Sequence, residues 1–492
     1  MATIPAAGYF SNATRTEAQT KTALEDVVAS LRQVPGAGQA ELTATISSGS
    51  ITPAGSGGVI VVDTESAAAT DDLTTIVTTN YPDGSMILLR NSNAARTVVV
   101  KHLAGGAGQL NLDQNAAYSL DDTKKWLLIQ RRSADWYEVL RGPQRPLPTP
   151  NAIINGSMEI WQRGTAFAAI ASGGYAADRW KREGTSAGVF TVNRSTNVPT
   201  VAQAGVLFNY SLEVDVTTAD SSVASGDGEA IVQRIEGYNF RPLAQKQFTL
   251  SFWVMSSKTG THCVSFRNTG DDRSYVATYT VNSVDTWEWK VVTVEASPSA
   301  GTWNYVNGTG LVVGFSLMAG TTFQTTAGSW QTGLFQSTSA QVNVLDNTAN
   351  FFRLTGVKIE EGPIATPLAP IDVALELNRC QRYCQKSFPY ATAPAQNSGI
   401  NDGASSVMAT GASISISCNT PFATAMRTAP TITTYNPSAA NAQARNASDG
   451  ADCSSMAVFW ASDRGFTITT TTNAAGGVND YVHFHWLASA EL

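Results

Sequence analysis

The chain has 492 residues, with 32 Lys and Arg against 39 Asp and Glu, a net charge of −7 and only 14% charged residues beside 43% hydrophobic ones. Mild acidity argues against nucleic-acid binding, which normally brings a basic face, and no apolar run approaches the ~18 residues of a membrane span. Solubility must come from Ser, Thr, Asn, Gln and Gly, and the length allows about three domains, each large enough for its own core.

The N-terminal stretch MATIPAAGYFSNATRTEAQ has neither a basic nor an apolar signal region and does not read as a secretory leader. Thr14-Arg15-Thr16-Glu17 fits a capping box. Leu24, Val27, Val28 and Leu31 follow at i, i+3, i+4 and i+7, one stripe of a helix that stops at Pro35-Gly36. A helix with so narrow a stripe is marginal alone, so residues 1–40 are expected to self-associate or dock.

From 41 to 142 the pattern becomes short β runs, Val59–Asp63, Ser85–Arg90, Thr97–Lys101, Lys125–Gln130 and Trp136–Leu140, parted by turn residues. A small antiparallel sandwich or barrel is expected. Residues 143–150, with four prolines in eight positions, read as a stiff linker. Residues 151–370 hold most of the tryptophan and predict a two-sheet jelly roll. In Phe248–Met255, Phe248, Leu250, Phe252 and Val254 share one face and Thr249, Ser251, Trp253 and Met255 the other; Trp287, Trp289 and Val291 share a face of the next strand. A helix is predicted within 371–390 from Val373, Leu377, Cys380 and Cys384, and short strands over 391–492 predict a C-terminal β-sandwich.

Cys263, Cys380, Cys384, Cys418 and Cys453 show no CxxC spacing and read as small core hydrophobes. His483 and His485 are alternate residues of one strand, but no third ligand stands near them, and a zinc site is not expected.

Three stretches resemble phage tail-fibre and related particle-fibre proteins. Asn155-Gly-Ser-Met-Glu-Ile-Trp-Gln-Arg-Gly164 with Ala177-Asp178-Arg179-Trp180 is similar to the opening of that group's jelly-roll domain. Leu354–Gly362, Ala365-Thr366-Pro367 and Cys380-Gln381-Arg382-Tyr383 resemble its closing strand and helix. The N-terminal helix, the Asp121–Trp126 to Trp136–Val139 segment and the final Ala488–Leu492 also look like such fibres. The resemblance implies a fibrous, all-β homotrimer of a virion, or of a phage-derived gene transfer agent. Its N-terminus would be anchored to a tail, baseplate or head protein, and its distal C-terminal domain would meet the host surface.

The central domain also resembles jelly-roll carbohydrate-binding modules, through Asn155, Gly156, Glu159 and Trp161. In several of these the Glu helps hold a structural calcium with an Asp of the last strand. Here that strand reads Leu354–Ile359 without an Asp, which leaves Glu159 and Asp178 as the oxygen ligands on offer.

Sugar binding needs aromatic faces for pyranose rings and planar polar groups for hydroxyls. Trp253, Trp287, Trp289, Trp303, Tyr305 and Trp330 are the aromatic candidates, with Trp303, Tyr305 and Trp330 in Gly/Ser/Thr-rich loops. The loop Arg267-Asn-Thr-Gly-Asp271-Asp272-Arg273 supplies donors and acceptors. A glycan-cleaving enzyme would need a spaced carboxylate pair and, in many fibres, a long parallel β-helix; neither is visible, and an attachment protein that binds surface polysaccharide is expected. A spacer fibre and a depolymerase are the alternatives.

Overall fold

The structure is a computed structural model, and it describes residues 41–55, 58–112, 117–142, 151–369 and 372–492. The expected helix with Leu24, Val27, Val28 and Leu31, and the linker 143–150, lie outside the described residues. The chain divides into two units, the first running to residue 147 and the second from residue 148.

The first unit is not the expected antiparallel sandwich or barrel. Leu42–Thr45, Val59–Asp63 and Met86–Asn91 stack in parallel, with Leu42 opposite Ile60 and Val59 opposite Leu88. Ser50–Ile51 lies parallel on Thr75–Ile76, and Thr70–Leu73 parallel on Thr97–Val100. The chain thus winds in short β-solenoid coils, whose inward residues Ile51, Ile60, Val62, Leu73, Ile76, Ile87, Leu89 and Val98 are fully buried. Antiparallel strands cap the last coil: Tyr118–Leu120 on Thr97–Val100, and the hairpin Trp126–Arg132/Asp135–Gly142 on Met86–Asn91. Trp136 locks the cap, since its indole N–H donates to the Ile76 carbonyl at 3.0 Å and its ring meets Tyr81 edge-on. Parallel coils, not expected from the sequence, are therefore present in this unit, and a depolymerase is not disfavoured on that ground.

The second unit opens with two six-stranded antiparallel sheets. One runs in the order Ala166–Phe167, Val189–Ser195, Ser211–Thr218, Phe351–Glu361, Phe248–Ser256, Glu288–Val294. The other runs Trp180–Thr185, Gly228–Glu236, Thr309–Ala319, Gly260–Arg267, Arg273–Val281, Trp330–Thr332. Phe248, Leu250, Phe252 and Val254 fill the space between them, as the alternation predicts, against Phe190, Val264, Phe266 and Phe315. The following helix is shorter than expected, Val373–Gln381, and is capped by Asp372, whose carboxylate accepts the Ala374 and Leu375 N–H groups. Cys384 opens a strand instead of sharing a helical face with Cys380.

In the C-terminal sandwich the long strand Val478–Ser489 is central. It pairs with Ser405–Thr410, Thr431–Tyr435, Cys384–Lys386 and Arg445–Asn446. The facing sheet is Ser415–Pro421, Gly465–Thr471, Ser454–Phe459.

The motif stretches converge where the jelly roll meets this sandwich. Asn155 ties the opening segment together, donating to the Ile160 and Asp178 carbonyls at 2.9 and 3.0 Å and accepting the Ile160 N–H. Trp180 donates its indole N–H to the Asn155 carbonyl. The Arg179 guanidinium lies 3.6 Å from the Tyr383 ring centre, and the Tyr383 carbonyl accepts the Ala490 N–H. Arg382 and Tyr383 both donate to the buried Glu236 carboxylate. The Asn-Gly and Arg-Trp pairs are thus joints of the fold.

Candidate functional site

On the first sheet, the residues that alternate with the core point outward: Thr249, Ser251, Trp253 and Met255 on one strand, Trp289, Val291 and Thr293 on the edge strand beside it, with Trp287 just before that strand. Two coverings leave only part of this face open. The segment after Phe351–Glu361 folds back, so that the Lys358 ammonium meets Glu360 at 3.1 Å and the Thr366 hydroxyl; Thr249, Ser251, Lys358 and Glu360 are buried beneath it. Farther along, Arg353 crosses Met255, with Nη1 at 3.2 Å from the sulfur, and pairs with Glu213 at 2.5 Å. The Arg353 guanidinium also lies 4.0 Å from the Phe351 ring centre, and Arg194 lies 4.4 Å from that of Tyr210.

Between these coverings Trp253 and Trp289 stand directly opposite each other across the ladder. Trp289 is 48% exposed and Val291 43%, high values for large apolar groups in a well-packed sandwich. Trp253 is half-buried against Phe208, and Gly356 makes this approach possible: its φ is +63°, and a Cβ there would fall 2.8 Å from the Phe208 ring and 3.0 Å from Trp253. Trp287 is held down, its indole N–H donating to Asn197 Oδ1 at 2.9 Å. At the head of the edge strand, burial works against the charge of Glu288. Lys290 at 2.5 Å and the Ser283 and Asn282 amides outweigh it and hold the carboxyl below its ordinary range. The result is an indole platform with planar polar groups, the Arg353–Glu213 pair, farther along the same face. Such a platform offers apolar area at low entropic cost and a polar tip to a ring-shaped, hydroxylated ligand.

The other predicted residues fall elsewhere. Trp303, Tyr305 and Trp330 are half-buried against the core: Phe240 stacks on Trp303 at 5.5 Å and on Tyr305 at 6.3 Å, and Trp303 meets Trp330 edge-on. Both indole N–H groups are taken by neighbouring backbone, the Ala300 and Glu295 carbonyls. Arg267 is 2% exposed and paired with Asp271 and Glu183. Asp272 clasps the neighbouring loop through Asn268 and through the Thr302 N–H and hydroxyl, contacts that hold its carboxyl below the ordinary range. Arg273 donates to the Asp272 carbonyl. This loop props Trp303 and leaves few groups free for a ligand.

Glu159 and Asp178, the two oxygen ligands on offer for a calcium, have separate partners. Glu159 faces a cavity of about 320 Å³ and accepts from Asn209. Asp178 is fully buried, takes the Gln162 amide hydrogens and lies 3.7 Å from Arg163. Burial raises its pKa, and Arg163 and Gln162 offset only part of that rise. No group of three His, Cys, Asp or Glu residues suited to a metal occurs among the described residues. Phe208, Arg353 and Glu213 escaped the sequence reading; the alternation of Phe351–Leu354 was the signal that puts Arg353 outward.

Neither a protein-family model nor a curated protein matches the sequence. Among solved structures, 44% of the chain is similar to the whole of TmCBM61, solved in complex with β-1,4-galactotriose, at 9% identity and a TM-score of 0.23. Over 41% of its length it is similar to 99% of the family 11 carbohydrate-binding module of Clostridium thermocellum, solved with a mixed-linked tetrasaccharide, at 10% identity and a TM-score of 0.22. A structure titled CBM4 is similar over 42% of this chain and 98% of its own, at 12% identity and a TM-score of 0.23.

Proposed function

We propose that this chain is a non-catalytic fibre protein of a phage or phage-like particle that binds a polysaccharide of the host surface through its jelly-roll domain. The observation that carries the sugar-binding part is the outward Trp253–Trp289 pair, left open between the covering over Thr249 and Ser251 and the Arg353–Glu213 pair. Stacking on such a platform, with hydroxyls paired to neutral or mutually neutralised polar groups, suits a glycan better than a charged macromolecule. The virion assignment, the homotrimer and anchoring of the N-terminal helix to a tail, baseplate or head protein are supported by the motif resemblance.

Labelling of a panel of bacterial strains by the fluorescent full chain, repeated after enzymatic removal of their surface polysaccharide, tests this function. Labelling that disappears with the polysaccharide is expected, and labelling that survives its removal would refute sugar attachment. Sedimentation tests the trimer, which a species near 52 kDa would contradict.

A further inference from the structure

The C-terminal sandwich carries a second outward face that its core does not use. Across Ser415–Pro421, Gly465–Thr471 and Ser454–Phe459 the pairing sets Asn419, Thr467 and Phe459 in one row and Ser417, Thr469 and Ala457 in the next. These rows contain hydroxyls, an amide, a methyl and one ring, but no charge. At one end Phe459 is 45% exposed and leads into Trp460, which is 81% exposed, the highest value among the large exposed hydrophobics of the described residues. Trp460 also has φ +49°, a backbone region that a bulky residue rarely occupies. At the other end of the row, Asn419 lines a cavity of about 280 Å³ with Ser387, Ser405, Ser406, Thr420 and Trp486.

We infer that this face is a second carbohydrate site, separate from the jelly-roll platform, and that it takes a neutral oligosaccharide. From Asn419 to Phe459 spans two strand spacings, roughly 10 Å, a width that a short chain of linked pyranose rings covers. Trp460 and Phe459 supply the stacking surface, and Thr467, Ser417, Asn419 and the hydroxyl-lined cavity supply partners for hydroxyl groups. The two rows carry no charge, and the nearest charges along the Trp460 hairpin, exposed Asp463 and Arg464, offset each other, so an acidic ligand finds no net counter-charge there. A second protein copy fits less well, because a stable interface needs a broad apolar centre and the apolar part here is a tip of two rings.

The site is tested in the full-length Trp253→Ala/Trp289→Ala background, so that any remaining binding comes from elsewhere than the jelly-roll platform. The probes are cellotriose, maltotriose, mannotriose, galactotriose and, as the acidic control, trigalacturonic acid, each followed by indole fluorescence and calorimetry. Trp460→Gly removes the ring and suits the positive φ, so its melting temperature should equal or exceed the parent's. Saturable binding of at least one neutral trisaccharide, weakened about tenfold or more by Trp460→Gly, is expected. The inference is overturned if no neutral trisaccharide binds, if Trp460→Gly binds like its parent, or if the acid binds best. A change of oligomeric state on Trp460→Gly, seen by sedimentation, would likewise overturn it and make the tip a subunit contact. Loss of the jelly-roll reading alone would leave these outcomes unchanged.

Discussion

Arg163 donates to the Glu491 carboxylate at 2.9 Å although 328 residues separate them, and buried Arg179 donates to the same carboxylate. Around them Arg427 holds the carbonyls of Ala490 and Glu491 at 2.8 and 2.9 Å, and Tyr175 holds the Leu492 oxygen at 2.8 Å. The chain end thus clamps the C-terminal sandwich onto the opening motif of the jelly roll. Removing one partner of a buried pair leaves uncompensated charge and costs about 3–5 kcal/mol. Glu491→Ala is therefore expected to lower stability by about that amount, with calorimetry showing the jelly roll and the C-terminal sandwich melting separately. An unchanged single transition would contradict the clamp.

Gly156 is expected to tolerate no side chain. A Cβ there would lie 2.1 Å from the Val357 carbonyl oxygen, in a contact where Val357 N–H also donates to the Gly156 carbonyl. Since backbone must give way, Gly156→Ala should lose about 3 kcal/mol, the upper end of ordinary overpacking, read as a lower urea midpoint at an unchanged slope.

The C-terminal sandwich should weaken in mild acid. His485 is fully buried, stacks on Phe388 at 3.9 Å and bridges the Ser387 hydroxyl and the Ile400 carbonyl. Burial lowers its pKa below the ordinary 6.5, and the Ile400 contact offsets this only in part. The unfolded chain then binds the proton first, so stability is full above about pH 6.5 and declines as the pH falls from there toward the folded value. Melting temperatures compared at about pH 7 and about pH 5 should differ less in His485→Gln than in the parent; an identical difference would show that His485 is not the group responsible.

Much of this fold was legible because period-2 alternation is imposed by the pleat itself. The faces assigned to Phe248–Met255 are those observed, and Trp289 was placed with Val291 on a shared face. Its exposure was not legible, since that depends on Glu288–Val294 being a sheet edge, a fact of long-range topology. The solenoid was missed for a related reason: Val59–Asp63 alternates in the same way whether its neighbour runs parallel or antiparallel. Trp303 lies in a polar loop, but Trp330 opens the edge strand Trp330–Thr332, and Phe240 and Tyr275 reach the two rings from the core. Trp460 passed unnoticed beside Asp463-Arg464-Gly465, where composition marks only a turn.

The central claim is that Trp253 and Trp289 form a sugar-binding platform. Its most direct test is calorimetric titration of purified surface polysaccharide from a strain that the protein labels, with three full-length proteins: the parent, Trp253→Ala/Trp289→Ala and Trp303→Ala/Trp330→Ala. The first pair should weaken binding about tenfold or more in protein that is still folded, with a loss of melting temperature that comes from Trp253, half-buried against Phe208, because Trp289 is already half in solvent. The second pair should lower the melting temperature, by removing about 3–5 kcal/mol per buried ring at most, with binding by the folded protein largely kept. Undiminished affinity in the Trp253→Ala/Trp289→Ala protein would contradict the account.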